Sequence, residues 1–137
     1  MTHDFKLFPE LTNSQMQIYY FDSPHKQITA DFRAEVVKVI DGDTIKVKTD
    51  FRDFDFKVRM ANIAAPELNE SGGLESQKWL EAKIGGEEVD ILINPRNRVG
   101  KWGRIIGDVV HGGMSINDLS LIEGQSIEFN QREISLW

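Results

Sequence analysis

Three consecutive segments between residues 34 and 60 alternate apolar and polar residues with a period of two, and this pattern constrains the fold most. In the first, AEVVKVID, Val37 and Val39 share one face. In TIKVK, Ile45 and Val47 alternate with Lys46 and Lys48. In FDFKVRM, Phe54, Phe56, Val58 and Met60 alternate with Asp55, Lys57 and Arg59. Side chains of a strand point alternately to its two faces, so each segment predicts a half-buried antiparallel strand. Turn-forming residues separate them: Asp41-Gly42-Asp43, then Thr49 to Asp53. PELNESGG breaks the pattern. The next segment, LESQKWLEAKI (74–84), has the helical period, with Leu80 and Ile84 one turn apart, Trp79 beside them and Gly85-Gly86 as a stop. Val89, Ile91 and Ile93 mark a fourth strand, and Arg104 to Val110 a fifth, closed by Gly112-Gly113. Ser115 with Asp118 resembles a capping box that opens a second helix through Ile122, ended by Gly124. The order βββ-α-β-β-α fits a mainly β, five-stranded Greek-key barrel with two helices. On pattern alone, a small α+β sandwich fits nearly as well.

The chain has 137 residues, 40% of them hydrophobic, enough for one domain with one modest core. Residues 1–30 are polar and irregular and read as an N-terminal extension, with residues 31–137 forming the domain proper. The extension carries Phe5, Phe8, Tyr19, Tyr20 and Phe21, and these aromatics are expected to pack on the domain. There is no cysteine, which excludes disulfides, thiolate metal sites and cysteine nucleophiles. The first residues show neither a basic n-region nor an apolar run, so the expected location is cytoplasmic. No apolar stretch reaches membrane-spanning length. The net charge of −6 disfavours a polyanion partner overall. Residues 95–104, PRNRVGKWGR, run against that balance, with Arg96, Arg98, Lys101 and Arg104 and no acid. They are either a solvated loop or a local phosphate cradle.

Taken singly, the polar residues are ordinary. Asp43 sits in an Asp-Gly turn, Arg59 on the polar face of a strand, Glu67 in a loop after Pro66, and Arg104 at a strand start. His3, His25 and His111 lack metal-ligand spacing. Together they are more specific. VVKVIDGDTIKV, VRMANIAAPE and NRVGKWGR, in that order, resemble the staphylococcal nuclease (thermonuclease) family over about residues 33–129. That family has DGDT after its first strand, then an Arg in the third, a Glu after Pro eight residues later, and a K-[YW]-G-R segment. Here these are Asp43, Arg59, Glu67 and Lys101-Trp102-Gly103-Arg104.

The resemblance implies an OB-fold barrel, a calcium-type divalent cation and hydrolysis of DNA or RNA phosphodiesters. It makes Asp43 a metal ligand, with the main-chain carbonyl of Ala65 beside it. Arg59, Glu67 and Arg104 become catalytic, and Lys101 and Trp102 substrate-binding. The residue types suit the chemistry. Guanidinium groups grip phosphate oxygens in bidentate fashion, a hard cation takes carboxylate oxygens, and a Glu can orient or deprotonate water. Trp102 can stack on a base or serve as a rim aromatic. The family's Asp-Thr or Asp-Ala before Pro-Glu is Ala64-Ala65 here. One metal carboxylate is therefore a methyl group, and a weakened metal site and slow enzyme are expected. The alternative is a catalytically silent nucleic-acid-binding module. The family's late base-stacking tyrosines have no clear match near residues 127–132, where Phe129 is a poor stand-in, and the family's third helix is expected to be missing or replaced.

Overall fold

A computed structural model of the chain describes residues 2–100 and 103–130. Its first regular element is α1 (Asn13–Tyr19), which leads into a single 3-10 turn. Thr12 and Gln15 cap each other's backbone N–H groups there in a complete capping box. Then follow β1 (Phe32–Asp41), β2 (Thr44–Lys48), β3 (Phe56–Met60), the short β4 (Ile63–Ala64) and α2 (Gly73–Ile84). After these come β5 (Glu88–Leu92), β6 (Ile105–His111), β7 (Met114–Ser115), α3 (Ile116–Ile122) and β8 (Ile127–Glu128). α1 is a third helix, beyond the two that periodicity predicts. It buries none of its residues, so it carries no apolar stripe to detect.

Five strands close into a barrel in the order β3-β2-β1-β5-β6, and β6 returns to pair with β3. All neighbours are antiparallel except that last pair, which runs parallel with Val58 opposite Ile105 and Arg59 opposite Ile106. This is the expected OB-type barrel. Val36, Ile45, Val47, Val58, Ile91 and Val109 fill its interior, and α2 plugs it with Leu80 and Ile84. One face assignment is reversed. Val36 is buried and Val37 is 40% exposed, while Val39 is buried as expected. The β1–β2 register shifts between Val36 and Lys38. An extra residue in one strand inverts the alternation, which strict period-two reading cannot anticipate.

The N-terminal segment is anchored by polar groups rather than by most of its aromatics. Phe21 is 98% exposed and Tyr20 half exposed. The anchors are Glu10, Leu11, Gln27 and Ile28, all buried. The Glu10 carboxylate accepts from Arg52, from Arg98 at 3.3 Å and from the Ile28 N–H at 3.2 Å. Arg98 also donates to the carbonyls of Ile28 (2.7 Å) and Leu11 (3.1 Å). The Arg52 guanidinium lies over the Phe56 ring at 4.6 Å and the Phe54 ring at 5.2 Å. Arg98 is thereby removed from the phosphate cradle that PRNRVGKWGR suggests. Its charge is spent holding the N-terminal segment to the barrel.

Candidate active site

Two tight turns and the closing strand pair gather the candidate residues. Asp41-Gly42-Asp43 turns β1 into β2. A Cβ on Gly42 would lie 2.6 Å from the Ala65 Cβ and 2.8 Å from the Ser76 Cβ, so only glycine lets the turn sit against both. That contact brings the Ala65 N–H to Asp43 Oδ2 at 2.9 Å. Thr44 donates its hydroxyl to Asp43 Oδ1 at 3.1 Å. In the β2–β3 register Thr44 faces Arg59, which sets the guanidinium beside the Asp43 carboxylate, Nη2 to Oδ2 at 3.3 Å. Arg59 also donates to the carbonyls of Met60 and Ile63, each at 2.8 Å. It is therefore a positioned, half-buried cation and not the solvent-facing charge its strand position alone suggests.

Glu67 leaves β4 through Pro66 into a turn that closes with Glu70 N–H on the Glu67 carbonyl at 2.8 Å. Its carboxylate is exposed, with no hydrogen-bond or ion-pair partner among the described residues. Arg104 directly precedes β6 and is likewise without a side-chain partner among the described residues. Asp43, Arg59, Ala65, Glu67 and Arg104 line one cavity of about 500 Å³. Residues far apart in the chain thus converge on one place. Lys101 and Trp102 lie outside the described residues.

The same cavity holds residues to which the sequence assigns no firm role. Asp41 lines it, accepts the Asp43 N–H at 3.0 Å, and faces the Asp43 carboxyl. Its signal is present in the sequence as the first acid of DGD, but a turn explains it equally well. Phe129 lines the cavity from beyond β8, with its ring 5.8 Å from the Arg59 guanidinium. β8 reaches this position by pairing with β4, Ala64 opposite Ile127, and the Phe129 N–H donates to the Asn62 carbonyl at 3.0 Å. Asn62 has φ 65°, a left-handed conformation that Asn tolerates better than most residues. A two-residue strand pair carries almost no sequence signal.

Burial pushes the Asp43 carboxyl up to about 6, and the neighbouring Asp41 adds to the rise. Arg59 and the Ala65 N–H pull the other way without cancelling it. Two adjacent carboxylates competing for one positive charge suit a hard divalent cation in kind. They fall short in number, since calcium takes about 6–8 oxygens. Among the described residues no group of three or more His, Cys, Asp or Glu side chains could hold a metal ion. Ala64, where the family pattern has a carboxylate, is buried under β8. Ala65 meets Asp43 through its N–H donor, whereas a cation would need its carbonyl.

No protein-family model matches the chain. An uncharacterized endonuclease from Escherichia coli is 31% identical over 105 residues, which are 76% of this chain and 65% of the relative. A micrococcal nuclease from Shigella flexneri is 36% identical over 80 residues, 58% of this chain and 43% of the relative. A probable staphylococcal-like nuclease from Oryza sativa subsp. japonica is 32% identical over 74 residues, 54% of this chain and 19% of the relative. The chain thus spans less than two thirds of the length of each of these relatives. With the closed barrel, the DGDT turn and the spacing from Arg59 to Glu67 to Arg104, this likeness shows that the chain belongs to the staphylococcal-nuclease-like family.

Proposed function

We propose that the chain is a metal-dependent nuclease that hydrolyses DNA or RNA phosphodiesters, slowed by an under-liganded cation site. One observation carries the reading: two guanidiniums and an uncommitted carboxylate, from β3, the loop after β4 and the start of β6, line one cavity. In this mechanism Arg59 and Arg104 bind the non-bridging phosphate oxygens. Arg59 is already fixed by carbonyls, so little reorganisation is needed as charge builds in the transition state. Glu67 takes a proton from a water that attacks phosphorus, the bond to the leaving oxygen breaks, and that oxygen gains a proton. Asp43 and Asp41 would hold a divalent cation, which would supply Lewis-acid polarisation of the phosphate and of water. A nucleic-acid substrate is supported by the relatives, which are named as endonuclease and nuclease.

The test is degradation of plasmid and single-stranded DNA, with and without millimolar calcium, by the parent chain and by Ala64→Asp. Calcium-dependent cutting by both, faster for the variant, supports the enzyme. Cutting by the variant alone means that the site is intact but short of one ligand. Salt-sensitive DNA binding without cutting by either protein would replace the enzyme with a silent binding module.

A further inference from the structure

The N-terminal segment and the barrel enclose a second cavity, of about 550 Å³. Arg104 lines this cavity and the catalytic one, so the two meet at a single residue. The closing strand pair explains the junction. β3 and β6 run parallel with Val58 opposite Ile105, which brings the preceding residues, Lys57 and Arg104, to neighbouring positions. Lys6 enters from the N-terminal segment. Lys6 and Lys57 are exposed and have no ion-pair partner among the described residues. Glu10 and Arg52 also line the cavity but are committed to each other. This leaves Lys6, Lys57 and Arg104 against Asp55. Phe8 adds a ring that is 37% exposed. It rests on the loop before Arg104, because a Cβ on Gly103, at φ 73°, would lie 3.1 Å from the Phe8 ring.

We propose that this second cavity is a nucleic-acid subsite that receives the single strand as it leaves the catalytic cavity past Arg104. Lys6 and Lys57 hold backbone phosphates, and Phe8 offers a face for a base. Cations interleaved with an exposed ring are what an unpaired strand requires, and continuity with a phosphate site favours a strand over a lone anion. The inference rests on the nuclease reading above, and its test separates the two. Binding of a fluorescent thymidine dinucleotide and of an oligothymidylate of about eight nucleotides is measured by anisotropy in EDTA. The long probe should bind the parent at least about tenfold tighter than the dinucleotide. The Lys6→Ala/Lys57→Ala variant should weaken the long probe about tenfold more than the short one. It should also flatten the logarithmic salt dependence of long-probe binding by about 1.4, at ~0.7 for each of the two phosphates no longer neutralised. Phe8→Ala should weaken the long probe about fivefold or more. Melting temperature is measured for both variants, and a loss confined to the long probe cannot come from unfolding. Equal loss on both probes, or none, overturns the subsite while cutting by the parent and its abolition in Arg59→Ala leave the nuclease reading intact. A parent that neither binds nor cuts sinks both.

Discussion

Changing Glu10 to Gln should cost the fold more than any other single isosteric change in the chain. Gln keeps the volume and removes the charge. In the parent, a carboxylate that is 2% exposed faces two guanidiniums that are 0% and 3% exposed. Burial, with repulsion from Arg98, already pulls Arg52 down to about 10, and its Nε and Nη1 have no hydrogen-bond partner among the described residues. Glu10 is the group that makes this cluster tolerable. Removing one partner of a buried ion pair typically costs about 3–5 kcal/mol, because the other charge is left uncompensated. Here two are left. Against a total stability of about 5–15 kcal/mol, that is roughly a fifth or more. For a domain of this size the melting temperature should fall by on the order of 10–20 °C. Urea unfolding followed by circular dichroism gives the free energy, and Arg52→Met combined with Glu10→Gln gives the coupling. The double variant should lose less than the sum of the singles by about 1.5 kcal/mol or more, since one stranded cation has gone. A Glu10→Gln protein within about 1 kcal/mol of the parent would refute the claim that this carboxylate pins the N-terminal segment.

Other perturbations test the site itself. Asp43 has a folded-state pKa raised from 3.8 to about 6, so the folded protein binds its proton more tightly than the unfolded chain does. Stability from this group therefore grows as pH falls from about 6 toward 4 and is absent above that window. Asp43→Asn should gain on the parent by up to about 3 kcal/mol more at pH ~8 than at pH ~4, read from urea unfolding at both; a pH-independent difference would refute it. Arg104→Ala should abolish cutting with an unchanged melting temperature, since its side chain has no partner among the described residues; retained activity would remove Arg104 from the mechanism. Ala64→Asp should lower the melting temperature in EDTA, because it buries a carboxylate near Asp43, and should show a larger calcium-induced rise than the parent. Gly42→Ala should destabilise by about 1–3 kcal/mol, because its methyl group would overlap the Ala65 and Ser76 side chains.

The barrel is legible in the sequence because its strands obey the simplest rule available. Ile45, Val47, Phe56, Val58, Ile91 and Val109 alternate faithfully, and all are buried. The helix over 74–84 and the one opened by Ser115 are legible from glycine stops and a cap, and Ser115 does accept the Asp118 N–H at 3.2 Å. Failures occur where a local event overrides the period. The bulge after Val36 exchanges the faces of its neighbours. α1 is signalled only by Thr12 and Gln15, a capping box without an apolar face behind it. For the site, Asp43, Arg59, Glu67 and Arg104 can be named from motif order, and their convergence depends on the parallel closure of β3 on β6. Asp41 and Phe129 join them through a turn contact and a two-residue strand pair, and neither has a periodicity to read. Arg98 looks like a member of an exposed basic run because burial leaves no mark on such a run.

The burial of Arg98 means that the charge paradox has to be answered locally. A chain with a net charge of −6 should repel a polyanion, and its buried cations do nothing to offset this, so the placement of the exposed cations decides. Arg52 and Arg98 are buried against Glu10, and Arg33 is paired with Glu88 at 3.1 Å and Asp90 at 3.3 Å. Arg59 is partly neutralised by Asp43. What a phosphate meets is decided by where the uncommitted cations lie, and Arg104 lines both cavities while Lys57 and Lys6 line the second. Affinity should therefore be local and strongly salt-dependent, with the acidic remainder of the surface limiting contact to strands threaded through these cavities. On that logic, adding positive charge elsewhere would raise non-specific binding to DNA without raising the rate of cutting. Only charge placed beside Arg104 would change both.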